Sequence, residues 1–297
     1  MSYIDDQLVK FKRMIEDAII EGGAEGKNAC IRTQAPINLI HDAVKQELID
    51  HGIMEELIYP PLGESKPEIK LAGFLKQKDQ DVCVVPNGID EKRTPINWGL
   101  MAFQNEIDPY GFDYSTNTLV INVRSQMSSL AKNADTLFER TFAEALNLHM
   151  RYPKMVLGEV YLIPVYEYDD TEAAKHKVKF KNKHVNVEKY ITFFDAINNR
   201  QKLDETYKYE RCTLLVVDFR PETPKLYRNS AELKADGIVS ASFPIEYATL
   251  SFDTFTEEIV DVDAARYHIK NIQDINRIKR YSAYLEKMRE MHKNDKE

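Results

Sequence analysis

Cysteine is scarce: the 297 residues include only Cys30, Cys83 and Cys212, with no CxxC pair among them. An odd, scattered set argues against a disulfide framework or a structural zinc site, and fits a reducing cytoplasm. Cys83 and Cys212 sit inside apolar runs and read as core residues. No window approaches the roughly 18 consecutive apolar residues of a membrane helix. The opening stretch MSYIDDQLVKFKRM lacks the apolar region of a secretory signal. No internal repeat, low-complexity linker, glycine-rich phosphate loop or Ser–His–Asp arrangement is found. Positive charge is also short, with 40 Lys and Arg against 48 Asp and Glu and a formal charge of −8. That weighs against a surface coated in phosphate-binding residues but leaves room for a local basic stripe.

What is present is ordinary globular composition, 43% hydrophobic and 30% charged. A chain this long buries enough apolar surface to need neither disulfide nor metal for stability. One domain is expected over residues 1–297, with a helical N-terminal part (about 1–60) and a long charged C-terminal helix (about 262–293). Ile4, Leu8, Phe11, Ile15 and Ile19 recur at helical spacing before a glycine-rich break at 22–26. A second helix is predicted from Pro36 to His51, with Gly52 as its C-cap.

The middle of the chain changes period. Short apolar runs at Asp81–Val85, Thr118–Arg124, Met155–Val165 and Cys212–Asp218 read as strands, with a further short strand near Leu226. Helices are predicted at about 135–150, capped by Asn133 or Asp135, and at about 188–199. Residues 87–116 read as one long polar loop, and loops of that length are often functional. This order defines an α/β protein with a mixed central sheet flanked by helices.

Two acidic groups and a lysine on adjacent strands are the chemistry of PD-(D/E)XK nucleases. The carboxylates hold Mg²⁺ against the scissile phosphate, and the lysine orients water and offsets charge. Here Asp81 opens one strand, and Asn122-Val123-Arg124 stands where E-x-K is expected on the next. Strand alternation places Asn122 and Arg124 on one face. Asparagine is a weak neutral ligand, and arginine stays protonated and cannot serve as a base.

The segment Leu71-Ala-Gly-Phe-Leu-Lys-Gln-Lys-Asp-Gln-Asp81-Val-Cys-Val-Val resembles the glycine-aromatic approach to the metal aspartate in the XhoI group of type II restriction endonucleases. Leu119-Val-Ile-Asn-Val-Arg-Ser-Gln126 is similar to that group's E-x-K strand followed by Ser-Gln. The likeness continues through Asn133, Arg140-Thr141 and Leu157-Gly158, and covers residues 35–260 loosely. It implies a restriction-endonuclease-like core, a Mg²⁺ cofactor, a double-stranded DNA substrate and site-specific hydrolysis of phosphodiester bonds by a homodimer.

The expected roles follow. Asp81 holds the metal, Glu159 or Asp113 supplies the missing carboxylate, and Asn122 and Arg124 complete the catalytic set. Gln126, Arg140 and the run Lys175, Lys177, Lys179, Lys181 and Lys183 contact DNA, the lysines projecting from one side of an extended segment. A second reading is a DNA-binding subunit that has lost hydrolysis and whose partner cuts, in a restriction system with its cognate methyltransferase. A third is an α/β protein with interaction duties only.

Overall fold

In the computed structural model, which describes residues 2–267, the N-terminal periodicity becomes two helices. Helix α1 (Tyr3–Arg32) runs through the glycine-rich stretch with a kink at Gly23. Gly23 adopts φ 62°, and a Cβ there would meet the carbonyl of Ala173 at 3.2 Å, so glycine fits both the bend and the close approach. Helix α2 (Ala35–Asp50) starts with proline in its first turn and ends before Gly52 at φ 89°.

The remaining described elements, in chain order, are β1 (Ile58–Tyr59), β2 (Lys70–Ala72), β3 (Gln77–Asp79), β4 (Val82–Val84), β5 (Thr94–Pro95), β6 (Ile107–Asp108), α3 (Phe112–Thr116), β7 (Leu119–Ser125) and α4 (Leu130–His149). They continue with β8 (Leu157–Pro164), α5 (Asp170–Ala173), α6 (Val187–Ile197), β9 (Arg211–Asp218), β10 (Lys225–Leu226), α7 (Ser230–Ala235) and α8 (Phe252–Tyr267). Six strands form a mixed sheet in the order β1-β4-β7-β8-β9-β10. The β7–β8 and β8–β9 pairs are parallel and the others antiparallel. The protein is α/β.

Strand β8 is buried at every position, as its unbroken apolar run predicts for a strand covered on both faces. Helices α4 and α6 lie on the face carrying Asn122, Glu159 and Tyr161. There Arg124 donates to Thr141 Oγ1 at 3.3 Å, and the Tyr161 ring lies 5.0 Å from Phe194. Helix α8 lies on the other face. A Cβ on Gly158 would come within 2.6 Å of Ile259 and 2.9 Å of Phe255, so glycine lets α8 approach the sheet.

Several expectations need correction. Helix α4 begins a turn earlier than Asn133 or Asp135, at Ser129, because the Glu167 carboxylate accepts the Leu130 N–H at 3.2 Å. That cap comes from 37 residues downstream and leaves no local signature. The stretch 87–116 is not one structureless loop; it contains β5, β6, α3 and a 3-10 turn at Leu100–Gln104. The C-terminal helix expected from about 262 is the end of α8, which starts earlier, at Phe252, and residues 268–293 of that expectation lie outside the described residues. No helix among the described residues is long and apolar enough to cross a membrane.

Candidate functional site

The antiparallel register Val82↔Ile121 and Val84↔Leu119 brings Asp81, just ahead of β4, to the middle of β7. There Asp81 Oδ2 accepts the Val123 N–H at 2.9 Å. On the parallel side Asn122 is the register partner of Glu159, and Arg124 of Tyr161. The three predicted positions Asp81, Asn122 and Arg124 therefore do fall on adjacent strands, and Glu159 joins them from the next one. The pairing of apolar strand residues sets this convergence.

Arg124 is the hub. Its Nη2 lies 3.0 Å from Glu144 Oε2 and its Nε 3.6 Å from Glu159 Oε1. Burial works against its charge, but Glu159, Glu144 and Asp81 outweigh that and hold the guanidinium protonated. Glu144 also pairs with Lys78, and these two cations keep its pKa below the usual carboxylate value against the pull of burial. Glu159 is 0% exposed. Desolvation pushes its pKa up to about 7, with Arg124 offsetting part of the rise. Neither Glu159 nor Asn122 has a hydrogen-bond partner for any side-chain polar atom among the described residues.

Arg124, Glu144 and Lys78 of this network line a cleft of about 460 Å³ at the carboxyl end of β7. The cleft is lined by Asp81, Arg124 and Arg140, by Lys76 and Lys78 from the β2–β3 hairpin, and by His41 from α2. Exposed Arg140 makes no ion pair among the described residues. The hairpin is moored to α4 by Asn147, whose Oδ1 accepts the N–H groups of Leu75 at 2.7 Å and Lys76 at 3.2 Å. His41 is nine-tenths buried, and its Nε2 has no hydrogen-bond partner. Burial lowers its pKa, with the Asp81 charge opposing.

Other expected residues do not join the site. Asp113 is exposed on α3, ahead of the amino end of β7, and lines a separate hollow with Asp90 and Lys92. It lies at the wrong end of the β4–β7 pair to complete a set with Asp81. Gln126 is buried, not presented to a ligand. Its Oε1 accepts from Tyr190 Oη at 3.0 Å and its Nε2 donates to Ser129 O at 3.3 Å, which pins the turn between β7 and α4. The lysine run is not an extended row. Lys175 follows the α5 turn, His176 has φ 58°, and the segment folds back through the Tyr168↔Phe180 bridge. Lys175 and Lys179 both pair with Glu172, and Lys181 pairs with Glu167, so only Lys177 and Lys183 make no ion pair among the described residues. Alternation counted the lysines but could not see the acids folded against them.

Sequence reading missed His41, Lys76 and Lys78 as members of the cleft. The lysines sit inside the motif leading to Asp81, at a spacing of two on one hairpin face, which was an available signal. His41 carried none, because the pairing of α2 with the sheet is tertiary. His149, at the end of α4, is a packing residue outside the cleft. It is fully buried, with Nδ1 3.1 Å from the carbonyl of Thr206 and Nε2 3.2 Å from that of Met155.

No family model, curated protein or solved structure matches this chain.

The Mg²⁺ implied by the resemblance can be tested against the residues present, and they do not fit it. No group of three His, Cys, Asp or Glu among the described residues is arranged to hold a metal ion. Asn122 is neutral, Glu159 does not line the cleft, and the charge between Glu159, Glu144 and Asp81 comes from the Arg124 guanidinium.

Proposed function

We propose that this chain is a duplex-DNA-binding protein related to the restriction-endonuclease group, in which an internal arginine network stands where the group holds its metal. The observation that carries the reading is the convergence of Asp81, Arg124, Arg140, Lys76 and Lys78 on one cleft at the carboxyl end of β7. Cations from three separate elements facing one hollow suit a phosphate backbone. The order of α2, three antiparallel strands β1, β4 and β7, then α4 and parallel β8 supports a restriction-endonuclease-like core.

The chemistry assigned to each group is electrostatic. Lys76 and Arg140, which make no ion pair among the described residues, neutralise phosphates, while Arg124 and Lys78 are held beside them by their shared partner Glu144. In a restriction system such a chain would serve as the site-binding subunit, with hydrolysis supplied by a partner and a methyltransferase protecting the host site. Hydrolysis by the chain itself, as a homodimer on a two-fold site, is the second reading. It is favoured by the adjacency of Asp81, Asn122 and Glu159 on neighbouring strands.

One experiment separates them. Purified protein is incubated with mixed phage and plasmid DNA in Mg²⁺ or Mn²⁺, beside an Asp81→Ala control, and run with a low-salt gel shift. Retarded but intact DNA is the expected result. Discrete fragments that vanish in the control establish cleavage and overturn the binding-only reading. Absence of any shift at low salt removes both, since a phosphate-tracking protein binds non-specifically there.

A further inference from the structure

The insertion between β4 and β7 does not pair with the main sheet. Its strands pair only with each other, Thr94↔Asp108 and Pro95↔Ile107, below the 3-10 turn Leu100–Gln104. Ile96 and Met101 turn inward and pack with Ala72 in a cluster separate from the main core. The outward side chains are unusually apolar for a protruding turn. Phe103 is 88% exposed, Leu100 50% and Trp98 45%, and Leu75 on the neighbouring β2–β3 hairpin is 45% exposed. The Trp98 ring rests 5.7 Å from Phe74 on the same hairpin. A contiguous group of this kind marks a contact surface.

Its placement favours one kind of partner. Gln77 Nε2 donates to the carbonyl of Ile107 at 2.9 Å and to Glu106 at 3.1 Å, so the insertion is tied to the hairpin that supplies Lys76 and Lys78 to the cleft. Leu75 of the knob is the chain neighbour of Lys76 of the cleft. Apolar and cationic surfaces thus meet at one hairpin. With Ile107, 43% exposed on β6, the apolar patch is five side chains beside the basic cleft, fewer than the roughly 20 residues a side of a stable protein interface. DNA-bending proteins use that combination, inserting apolar wedges between base steps while cations hold flanking phosphates.

We propose that the knob formed by Trp98, Leu100 and Phe103 is a base-stacking wedge, entering the stack of a duplex whose phosphates lie in the adjoining cleft. This rests on the duplex-binding reading of that cleft. Trp98 is the only tryptophan among 16 tyrosines, so emission excited at the red edge, where tyrosine does not absorb, reports on the knob alone. The full-length protein is titrated at low salt with a short mixed-sequence duplex and, in parallel, with heparin, a polyanion without bases. Binding is followed by displacement of a labelled duplex. The duplex is expected to quench Trp98 emission and shield it from acrylamide, while heparin competes for the cleft without quenching. Phe103→Ala, at a position with no packing to lose, is expected to weaken duplex binding roughly tenfold and leave heparin binding unchanged. Duplex binding with unaltered Trp98 emission, or an indifferent Phe103→Ala, overturns the wedge and leaves the cleft reading standing. A Phe103→Ala protein that sediments as monomer where the wild type is a dimer assigns the knob to a subunit interface and also overturns it. Failure of the duplex to bind at all removes the cleft reading first and the wedge with it.

Discussion

Asn122 and Glu159 are register partners on adjacent parallel strands, both buried, and neither side chain makes a hydrogen bond among the described residues. The sheet therefore holds a carboxyl beside a neutral amide, with the Arg124 guanidinium 3.6 Å away as its cation. Burying such groups costs free energy that the surrounding apolar packing must offset.

Glu159 makes stability depend on pH. Folded, it keeps its proton up to about pH 7, whereas its ordinary value is 4.5. Its contribution is fully present below pH 4.5, declines as pH rises, and is lost above about pH 7. The loss is on the order of 3 kcal/mol. Glu159→Gln stays neutral throughout, so relative to wild type it gains stability by that amount between pH 4.5 and 8. Urea denaturation at three pH values measures it, and parallel pH profiles for the two proteins would falsify the assignment.

Arg124→Met leaves Glu159 and Glu144 without their shared cation. Removing one member of a buried charge network costs about 3 to 5 kcal/mol, and the midpoint of chemical denaturation should fall accordingly. Glu144 keeps Lys78, so Arg124→Met with Glu159→Gln is expected to recover part of the loss. A double variant no more stable than the single one counts against the coupling.

Asn147→Ala strips the acceptor from the N–H groups of Leu75 and Lys76. Two donors left without it cost about 1 to 3 kcal/mol each where water cannot replace the carbonyl. The β2–β3 hairpin loosens from α4, and limited proteolysis should cut within residues 70–79 sooner than in wild type. An unchanged cleavage pattern would show that other contacts hold the hairpin.

Arg140→Ala touches only the cleft. Stability is expected to stay within about 0.5 kcal/mol, while duplex affinity falls and the slope of log K against log salt drops by about 1. Gln126→Ala does the reverse. It removes the acceptor of Tyr161 and one of the two acceptors of Tyr190, destabilises the protein, and acts on DNA only through the fold. Equal salt slopes for wild type and Arg140→Ala argue that Arg140 does not meet phosphate.

The strands and helices that carry long apolar patterns were legible in the sequence. The β8 run Leu157–Pro164 and the α1 and α2 stripes fall within a few residues of where periodicity places them. The two-residue strands β1, β5 and β6 were not, since they have no room for a period and exist through tertiary pairing. In the site, Asp81, Asn122 and Arg124 were readable because alternation is a local rule and apolar runs mark both strands, whereas the register that brings Asp81 to Val123 is tertiary. Glu144 was not readable, because its role between Arg124 and Lys78 depends on how α4 lies across β7. The lysine run misled because Glu167 and Glu172, which neutralise three of its members, precede it in sequence and meet it only in the fold.

Val84 and Leu119, which flank the insertion between β4 and β7, are register partners. The insertion thus leaves and re-enters the sheet across a single rung of the ladder, and Ile96 and Met101 give it a small core of its own with Ala72. Two further ties hold its base, since Asp108 accepts from Tyr152 Oη at 2.7 Å and Gln77 of the hairpin donates to the carbonyl of Ile107 at 2.9 Å. The tip at 97–104 lies beyond these anchors, so it can change in length and sequence while the hydrogen-bonded frame beneath stays intact.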